Sequence, residues 1–354
     1  MNNRENTVIL YGSYGYTGRL IAQECKWRGL NVILSGRKKE PLHAQSISTG
    51  FAFEVVDMDD TIALKNLLVQ GSVLIHCGGP FQFTAKKMVE TCLSTGTHYT
   101  DISGEYPVFE TLASYDEQAK ASGITVLPGT GFDVVPSDCL ALYLKNKLQR
   151  ASKLELAFTT SQGGLSRGTA YTMVHGLGQG SVVRKGGKLI NVPLGEKIQE
   201  IDFGEFKSKC MNIPWGDVST AWFSTGIPDI EVYVAANTKT VAAAKASRYI
   251  NSLLKTTWVK NYLLGRIRRK TDGPAIEKLN ASRSYLWGRV SDREGNFATA
   301  TIQTLGGYLL TAKTSVHIAE KILSGNLKTG YQTPSSAYGA DLILEIENTV
   351  RKDL

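Results

Sequence analysis

The chain has 354 residues, 42% of them hydrophobic and 20% charged, with five cysteines and a formal net charge of +8. This composition excludes global disorder, a collagen-like repeat and a disulfide scaffold, and no run approaches the ~18 consecutive apolar residues of a membrane-spanning helix. Eight basic residues and no acidic one lie between Lys245 and Lys270, so the formal excess is concentrated there and the near-neutral remainder speaks against a nucleic-acid coat.

Cys25, Cys77, Cys92, Cys139 and Cys210 form no C-x-x-C pair. That pattern fits reduced thiols in the cytoplasm and carries no metal signal. The first residues, MNNRENTVILYGSYG, lack the basic and apolar regions of a secretory leader, so a cytoplasmic location is expected. At roughly 100–200 residues per domain, the length suggests two domains.

Thr7–Leu10 is a β-branched run, followed by Gly12, Gly15 and Gly18 and then a helical pattern from Arg19 to Arg28. Strands are expected at 31–35, 51–56, 72–77, 97–101 and 124–127, with helices between them, for example at 84–95 and 107–122. Sustained alternation predicts an α/β fold: a Rossmann-type, doubly wound parallel sheet over residues 1–135. A helix is expected to run from about Ser137 to Arg150.

Past residue 135 the texture changes. A strand at 154–160 precedes a glycine-rich stretch from Gly163 to Gly187, and further strands are expected at 189–192, 230–235, 284–290 and 299–304. Helices are expected near 241–264 and 311–324. This reads as a second, α+β domain with a mostly antiparallel sheet over 136–330, for substrate or for oligomerisation, with a homodimer among the expected partners. Residues 331–354 read as a C-terminal helix returning to the first domain.

The glycines at 12, 15 and 18 stand between a strand and a helix, where a dinucleotide pyrophosphate needs bare backbone and free N–H groups. Gly12, Ser13, Tyr14, Gly15, Tyr16, Thr17 and Gly18 are therefore the expected phosphate-binding loop. An NAD site carries an acid at the end of the second strand; here, nineteen residues after Gly18, stand Arg37 and Lys38. A guanidinium suits a 2′-phosphate, so NADP(H) is the expected cofactor, the alternative being a solvated basic turn. Asp57, ending the third strand, is either a partner for the adenine or a cap for the next helix. Cys77, Gly78, Gly79, Pro80 and Phe81 leave the fourth strand and are expected to pass beneath the nicotinamide ribose. His76 and Cys77 read as buried packing residues.

Further segments carry a resemblance: 11–22, 79–81, Gly96–Glu105, Pro128–Asp138, Gly168-Thr169, 224–228, Gly273-Pro274, Trp287-Gly288 and 330–334. Together they resemble the saccharopine dehydrogenase-like oxidoreductases, and within them the trans-acting enoyl reductase branch. The resemblance spans nearly the whole chain. It implies an NADP(H)-dependent reductase acting on a C=C (enoyl) or C=N bond of a small-molecule, carrier-linked or lipid-like substrate. The family usually has alanine and threonine or serine inside the first loop, where this chain has Ser13 and Tyr14. A saccharopine-type substrate needs an arginine-lined pocket; the second domain offers Arg167 and Arg184, which do not align with it, so the resemblance to genuine saccharopine dehydrogenases is at the level of the fold.

For chemistry, Asp133 lies at the carboxyl edge of the sheet, either orienting substrate or stabilising a turn. Tyr171 and His175, four apart, either serve as proton donor and shuttle or pack. Tyr143-x-x-x-Lys147 matches a short-chain dehydrogenase motif but follows the sixth strand, so it reads as a helix surface. Tyr249, Leu253, Leu254, Trp258, Tyr262 and Leu263 form an apolar stripe among the basic residues of 245–270. Such a helix either meets an anionic membrane or an acidic carrier, or faces the core with a solvated basic end. Two other function classes stay open: a non-catalytic NADPH-binding sensor or scaffold, and a peripheral membrane protein with a vestigial nucleotide site.

Overall fold

The computed structural model describes residues 6–161, 164, 166–268 and 273–354. Gly163, which opens the glycine-rich stretch, and Arg269 and Lys270, which close the basic run, lie outside the described residues. In chain order, the first elements are β1 (Thr7–Tyr11), α1 (Tyr16–Trp27), β2 (Asn31–Gly36), α2 (Lys39–Thr49), β3 (Ala52–Val55), α3 (Thr61–Leu68) and β4 (Val73–His76). Next come α4 (Phe81–Thr95), β5 (His98–Asp101), α5 (Tyr106–Ala113), α6 (Asp116–Ala121), β6 (Thr125–Leu127) and α7 (Val135–Lys147). They are followed by β7 (Lys153–Thr160), α8 (Arg167–Gly176), β8 (Ser181–Lys185), β9 (Lys188–Val192), β10 (Ile198–Asp202), β11 (Lys207–Asn212), α9 (Asp217–Thr225) and β12 (Asp229–Ala235). The rest are α10 (Thr238–Ser247), α11 (Asn251–Leu254), α12 (Thr257–Arg268), α13 (Ile276–Ala281), β13 (Arg283–Ser291), β14 (Phe297–Leu305), α14 (Gly307–Leu323), β15 (Gly330–Tyr331), α15 (Pro334–Tyr338) and β16 (Val350–Asp353).

Two compact units result: residues up to Val135 with Tyr308–Ala337, and Pro136–Gly307 with Tyr338–Leu354. The first carries a parallel sheet in the order β15-β6-β5-β4-β1-β2-β3. β1 and β4 are buried along their whole length, which is why they read as unbroken apolar runs. Ile9, Leu74, Leu67, Met88 and Tyr99 centre one of its cores. The strand order reverses between β1 and β4, and a crevice at such a reversal is where open α/β sheets take ligands.

The second unit carries a nine-stranded mixed sheet, ordered β10-β11-β12-β7-β13-β14-β16, with the β8–β9 hairpin attached through β12. Only β12 and β7 pair in parallel among its described strands. Asp292 closes the turn between β13 and β14 by accepting the N–H groups of Glu294 and Asn296, each at 2.9 Å, while Gly295 takes φ +90°.

Four expectations change, the first being that the helix expected over 107–122 is two, α5 and α6. The helix expected at 311–324 is present as α14 but belongs to the first unit, because no local signal says which sheet a helix will cover. The tail is not one helix: Gly339 (φ +87°) ends α15, Leu342–Glu345 makes one 3₁₀ turn, and Asn348 (φ 57°) leads into β16 on the second sheet. The helix expected over 241–264 is three helices, α10 to α12. Tyr143 and Lys147 do lie on a helix surface. The Tyr143 hydroxyl donates to Asp353 at 2.9 Å, Lys147 pairs with the same carboxylate, and Arg351 stacks 3.6 Å from the ring centroid, so the motif anchors β16. Among the described residues no helix is long and apolar enough to cross a membrane.

β13 takes α7 at close range because Gly288 has no side chain. A Cβ there would lie 2.7 Å from Leu144 Cδ1 and 3.1 Å from Leu140 Cδ2. Gly288→Ala is therefore expected to lower stability by about 1–3 kcal/mol through overpacking. Urea unfolding checks this; an unchanged midpoint contradicts it.

Candidate nucleotide-binding site

The loop after β1 is held by backbone contacts that leave no room for side chains. Gly12 takes φ +77°, and a Cβ on it would meet Gly78 N at 2.8 Å and Cys77 C at 2.9 Å. A Cβ on Gly18 would meet the carbonyl oxygens of Gly12 and Ser13 at 2.5 and 2.6 Å. Gly12 N–H donates to Ser35 O at 2.8 Å, tying the loop to the end of β2. Gly15 is the N-cap of α1 and supplies no side-chain cap, so the helix start presents backbone N–H groups and its positive dipole end.

The remaining loop residues divide by direction. Ser13 is buried, its hydroxyl donating to Gln45 Oε1 at 2.8 Å while Gln45 Nε2 donates back to Ser13 O at 3.0 Å. Its side chain thus pins the loop to α2, and only its backbone is left to face a ligand. Tyr14 lays its ring across the backbone of Gly36, where a Cβ would be 2.5 Å from Tyr14 Cε1. Tyr16 stacks edge-on against Tyr308 of α14, with centroids 5.0 Å apart. Thr17, on the first turn of α1, is half-buried.

At the end of β2, Arg37 and Lys38 are both exposed. Tyr11 is close enough to Asp57 and Arg37 to feel both. Burial first, then Asp57, push its pKa up to about 12 against the opposing pull of Arg37. Asp57 accepts the N–H of Asp59 at 3.0 Å, whereas the cap of α3 is Asp60, which accepts the N–H of Ala63 at 2.9 Å. The helix-cap role therefore falls to Asp60, and Asp57 closes a turn beside Tyr11.

On the other side of the reversal, β4 ends at His76. Its ring is wholly buried, and burial lowers its pKa to about 3. Nδ1 accepts the N–H of Gly78 at 3.4 Å, which places the ring proton on Nε2, 2.9 Å from Thr84 Oγ1. A neutral His76 thus shapes the Gly78–Phe81 loop, and burial raises the Cys77 thiol far above its ordinary range, so neither is reactive. The Gly79–Pro80 bond is cis, and Phe81 is buried against His76.

Sequence reasoning missed the acid that closes this loop. Glu105 accepts the N–H groups of Phe81 and Gln82, each at 3.2 Å, and so caps α4 from the end of β5. A cap arriving from another segment leaves no local capping pattern to read. Asp101, wholly buried, accepts from Tyr99, from both donors of Ser103 and from Gly129 N–H. It thereby ties the exits of β5 and β6 together. Beyond it, Thr130 O accepts from Thr314 Oγ1 at 2.7 Å, and Phe132 N–H donates to Thr311 Oγ1 at 3.0 Å. α14 therefore braces the segment that carries Asp133.

Asp133 is half-buried and packs on Gly104, where a Cβ would lie 2.5 Å from its Oδ2. Burial, reinforced by Glu105, raises its pKa to about 7. Tyr171 and His175 stand on α8 of the second unit, both half-buried, with the His175 carbonyl accepting from Lys260 Nζ at 2.8 Å. Of the two arginines, Arg184 is buried, donates to the carbonyls of Val218 and Gly187 and stacks on Trp222, a structural role. Arg167 starts α8.

The groups present are chemically compatible with NADP(H): bare backbone at Gly12, Gly15 and Gly18, an α1 N-terminus without a side-chain cap, and two exposed cations, Arg37 and Lys38, after β2. Gly18→Ala forces the loop backbone to shift and is expected to weaken NADPH binding by roughly tenfold or more. Arg37→Ala is expected to narrow the preference for NADPH over NADH by roughly ten- to a hundredfold, as loss of one charge-assisted pair requires. Calorimetric titration reads both; equal affinity of the unmodified protein for the two nucleotides contradicts the Arg37 role.

Residues 8–127 match the family model described as saccharopine dehydrogenase NADP binding domain. A saccharopine dehydrogenase-like oxidoreductase of Mus musculus is 26% identical over 203 residues, covering 50% of this chain and 47% of its own length. A trans-acting enoyl reductase of Mycobacterium ulcerans (strain Agy99) is 26% identical over 204 residues, covering 54% and 49%. The chain thus spans about half the length of the curated relatives it matches. Apo saccharopine dehydrogenase (L-Glu forming) from Saccharomyces cerevisiae shares the fold, with a TM-score of 0.69 over 99% of this chain and 100% of that one at 16% identity. Residues 8–127 are thus similar to the saccharopine dehydrogenase NADP binding domain, and NADP(H) is the nucleotide that this match indicates.

Proposed function

We propose that the chain is an NADPH-dependent reductase of an enoyl C=C bond in a carrier-linked or lipid-like substrate, with Asp133 as proton donor. The observation that carries the reading is Asp133 itself: a carboxyl raised to about 7, at the carboxyl edge of the sheet, in the same unit as the nucleotide cradle. NADPH, when bound, supplies hydride to one carbon of the double bond. Asp133 gives its proton to the other carbon and is reprotonated from solvent, so charge and protons balance. A donor poised near neutral pH is matched to this task, and an ordinary aspartate is not.

Glu105 acts on the same step without touching substrate. Its charge helps keep the Asp133 proton in place, and its two accepted N–H bonds hold the start of α4. His76 and the Gly78–Phe81 loop set the floor on which the nicotinamide end would rest. The named activity of the mycobacterial relative supports an enoyl acceptor over a C=N bond. An intact glycine cradle beside a tuned carboxyl favours a reductase over a sensor or a vestigial site.

NADPH consumption with a panel of enoyl thioesters tests this. Asp133→Asn is expected to cut turnover by roughly a hundredfold or more while leaving NADPH affinity within about twofold. As a general acid, Asp133 works only when protonated, so turnover is expected to fall as pH rises through about 7 and to lose that limb in Asp133→Asn. Turnover that survives in Asp133→Asn but disappears in Tyr171→Phe or His175→Asn would move the donor to α8.

A further inference from the structure

The Lys245–Lys270 run was open to two readings, and its side chains decide between them. A core-facing helix would bury its aromatic residues. Instead Tyr249 is 76%, Leu253 53%, Trp258 75% and Tyr262 59% exposed, with Ile250 also exposed. Trp258 and Tyr262 stand four apart on α12, their rings parallel to within 17° with centroids 6.3 Å apart. Arg266, four further on, is exposed on the same stripe. α12 packs on α8, where Lys260 Nζ is spent on the His175 carbonyl. Val259, Leu263 and Ile267 are half-buried, so the helix has an inner apolar side besides the aromatic one it shows to water.

Lys245, Arg248, Lys255 and Arg266 are exposed along the segment, and the Arg248 guanidinium lies 4.8 Å from the Tyr249 ring centroid. No acidic residue occurs from Lys245 to Lys270. Tryptophan and tyrosine with an apolar body and a polar edge, rimmed by unopposed cations, are the side chains that favour a lipid–water boundary.

We propose that the exposed basic–aromatic segment carrying Arg248, Tyr249, Leu253, Trp258, Tyr262 and Arg266 docks onto an anionic lipid surface, with the rings in the headgroup layer and the cations over the phosphates. The proposal rests on this segment alone and is independent of the reductase reading.

The test uses the whole protein and vesicles of phosphatidylcholine containing about one-third phosphatidylserine, against pure phosphatidylcholine. Co-sedimentation is expected with the anionic vesicles at low salt, and release is expected near ~0.5 M salt, where screening shortens to about 4 Å. Arg248→Glu and Arg266→Glu are each expected to weaken binding by roughly fivefold or more. Trp258→Ala with Tyr262→Ala is expected to weaken it by roughly tenfold or more. All four positions are exposed, and unchanged NADPH affinity in each variant verifies that it is folded. As a second readout, tryptophan emission is expected to shift blue on anionic vesicles in the unmodified protein and not in Trp258→Phe. No sedimentation at low salt, equal binding by the variants, or binding to an acidic carrier protein but not to vesicles would each overturn the proposal.

Discussion

The fold turns on how closely two backbones meet between β1 and β4. Gly12 approaches Gly78 so nearly that a single methyl group would collide with main-chain atoms, and Gly18 closes on the loop carbonyls in the same way. Main chain cannot yield as a side-chain tip can, so glycine is required there. This contact brings the phosphate loop and the Gly78–Phe81 loop to one crevice, and everything assigned to the nucleotide is placed relative to it. The family match over residues 8–127 and the shared fold with yeast saccharopine dehydrogenase agree with that physical reading.

Three polar groups, His76 and Asp101 buried and Glu105 half-buried, hold the loops that leave β4 and β5. His76 stays neutral and shapes the loop after β4; Asp101 binds the exits of β5 and β6; Glu105 caps α4. None of them needs to touch a ligand. Asp133 packs on Gly104 in surroundings that raise its pKa. Burial is the larger cause and Glu105 the smaller, so the tuning comes mainly from the fold and is trimmed by one neighbouring charge.

The first sheet was legible because parallel strands covered on both faces are continuous apolar runs, as Thr7–Tyr11 and Val73–His76 are. The glycine spacing was legible because the close backbone approach it serves is set by a local strand–turn–helix pattern. What depended on distant pairing was not. β15 is two residues long and joins the sheet beside β6 from about 200 residues downstream, pairing Gly330 with Thr125. α14 looked like a helix of the second domain, yet its threonines brace the Asp133 segment. Ser13 looked like a loop residue facing a ligand, yet Gln45 draws it inward. Asp133 could be placed at the sheet edge from sequence, but its proton affinity depends on burial and on an acid 28 residues away. The 245–270 run showed its charge in the sequence; only the exposure of Trp258 and Tyr262 separated a core helix from a surface one.

The central claim is that the crevice passes hydride from NADPH to an unsaturated carbon while a carboxyl of the same unit supplies the proton. Mass spectrometry of products made with NADPH deuterated at the transferable position, in ordinary water, tests it most directly. The account predicts one deuterium on the reduced enoyl carbon, and in the complementary experiment, with ordinary NADPH in heavy water, one deuterium on its neighbour. Tight NADPH binding with no deuterium appearing in any member of an enoyl thioester panel would contradict it.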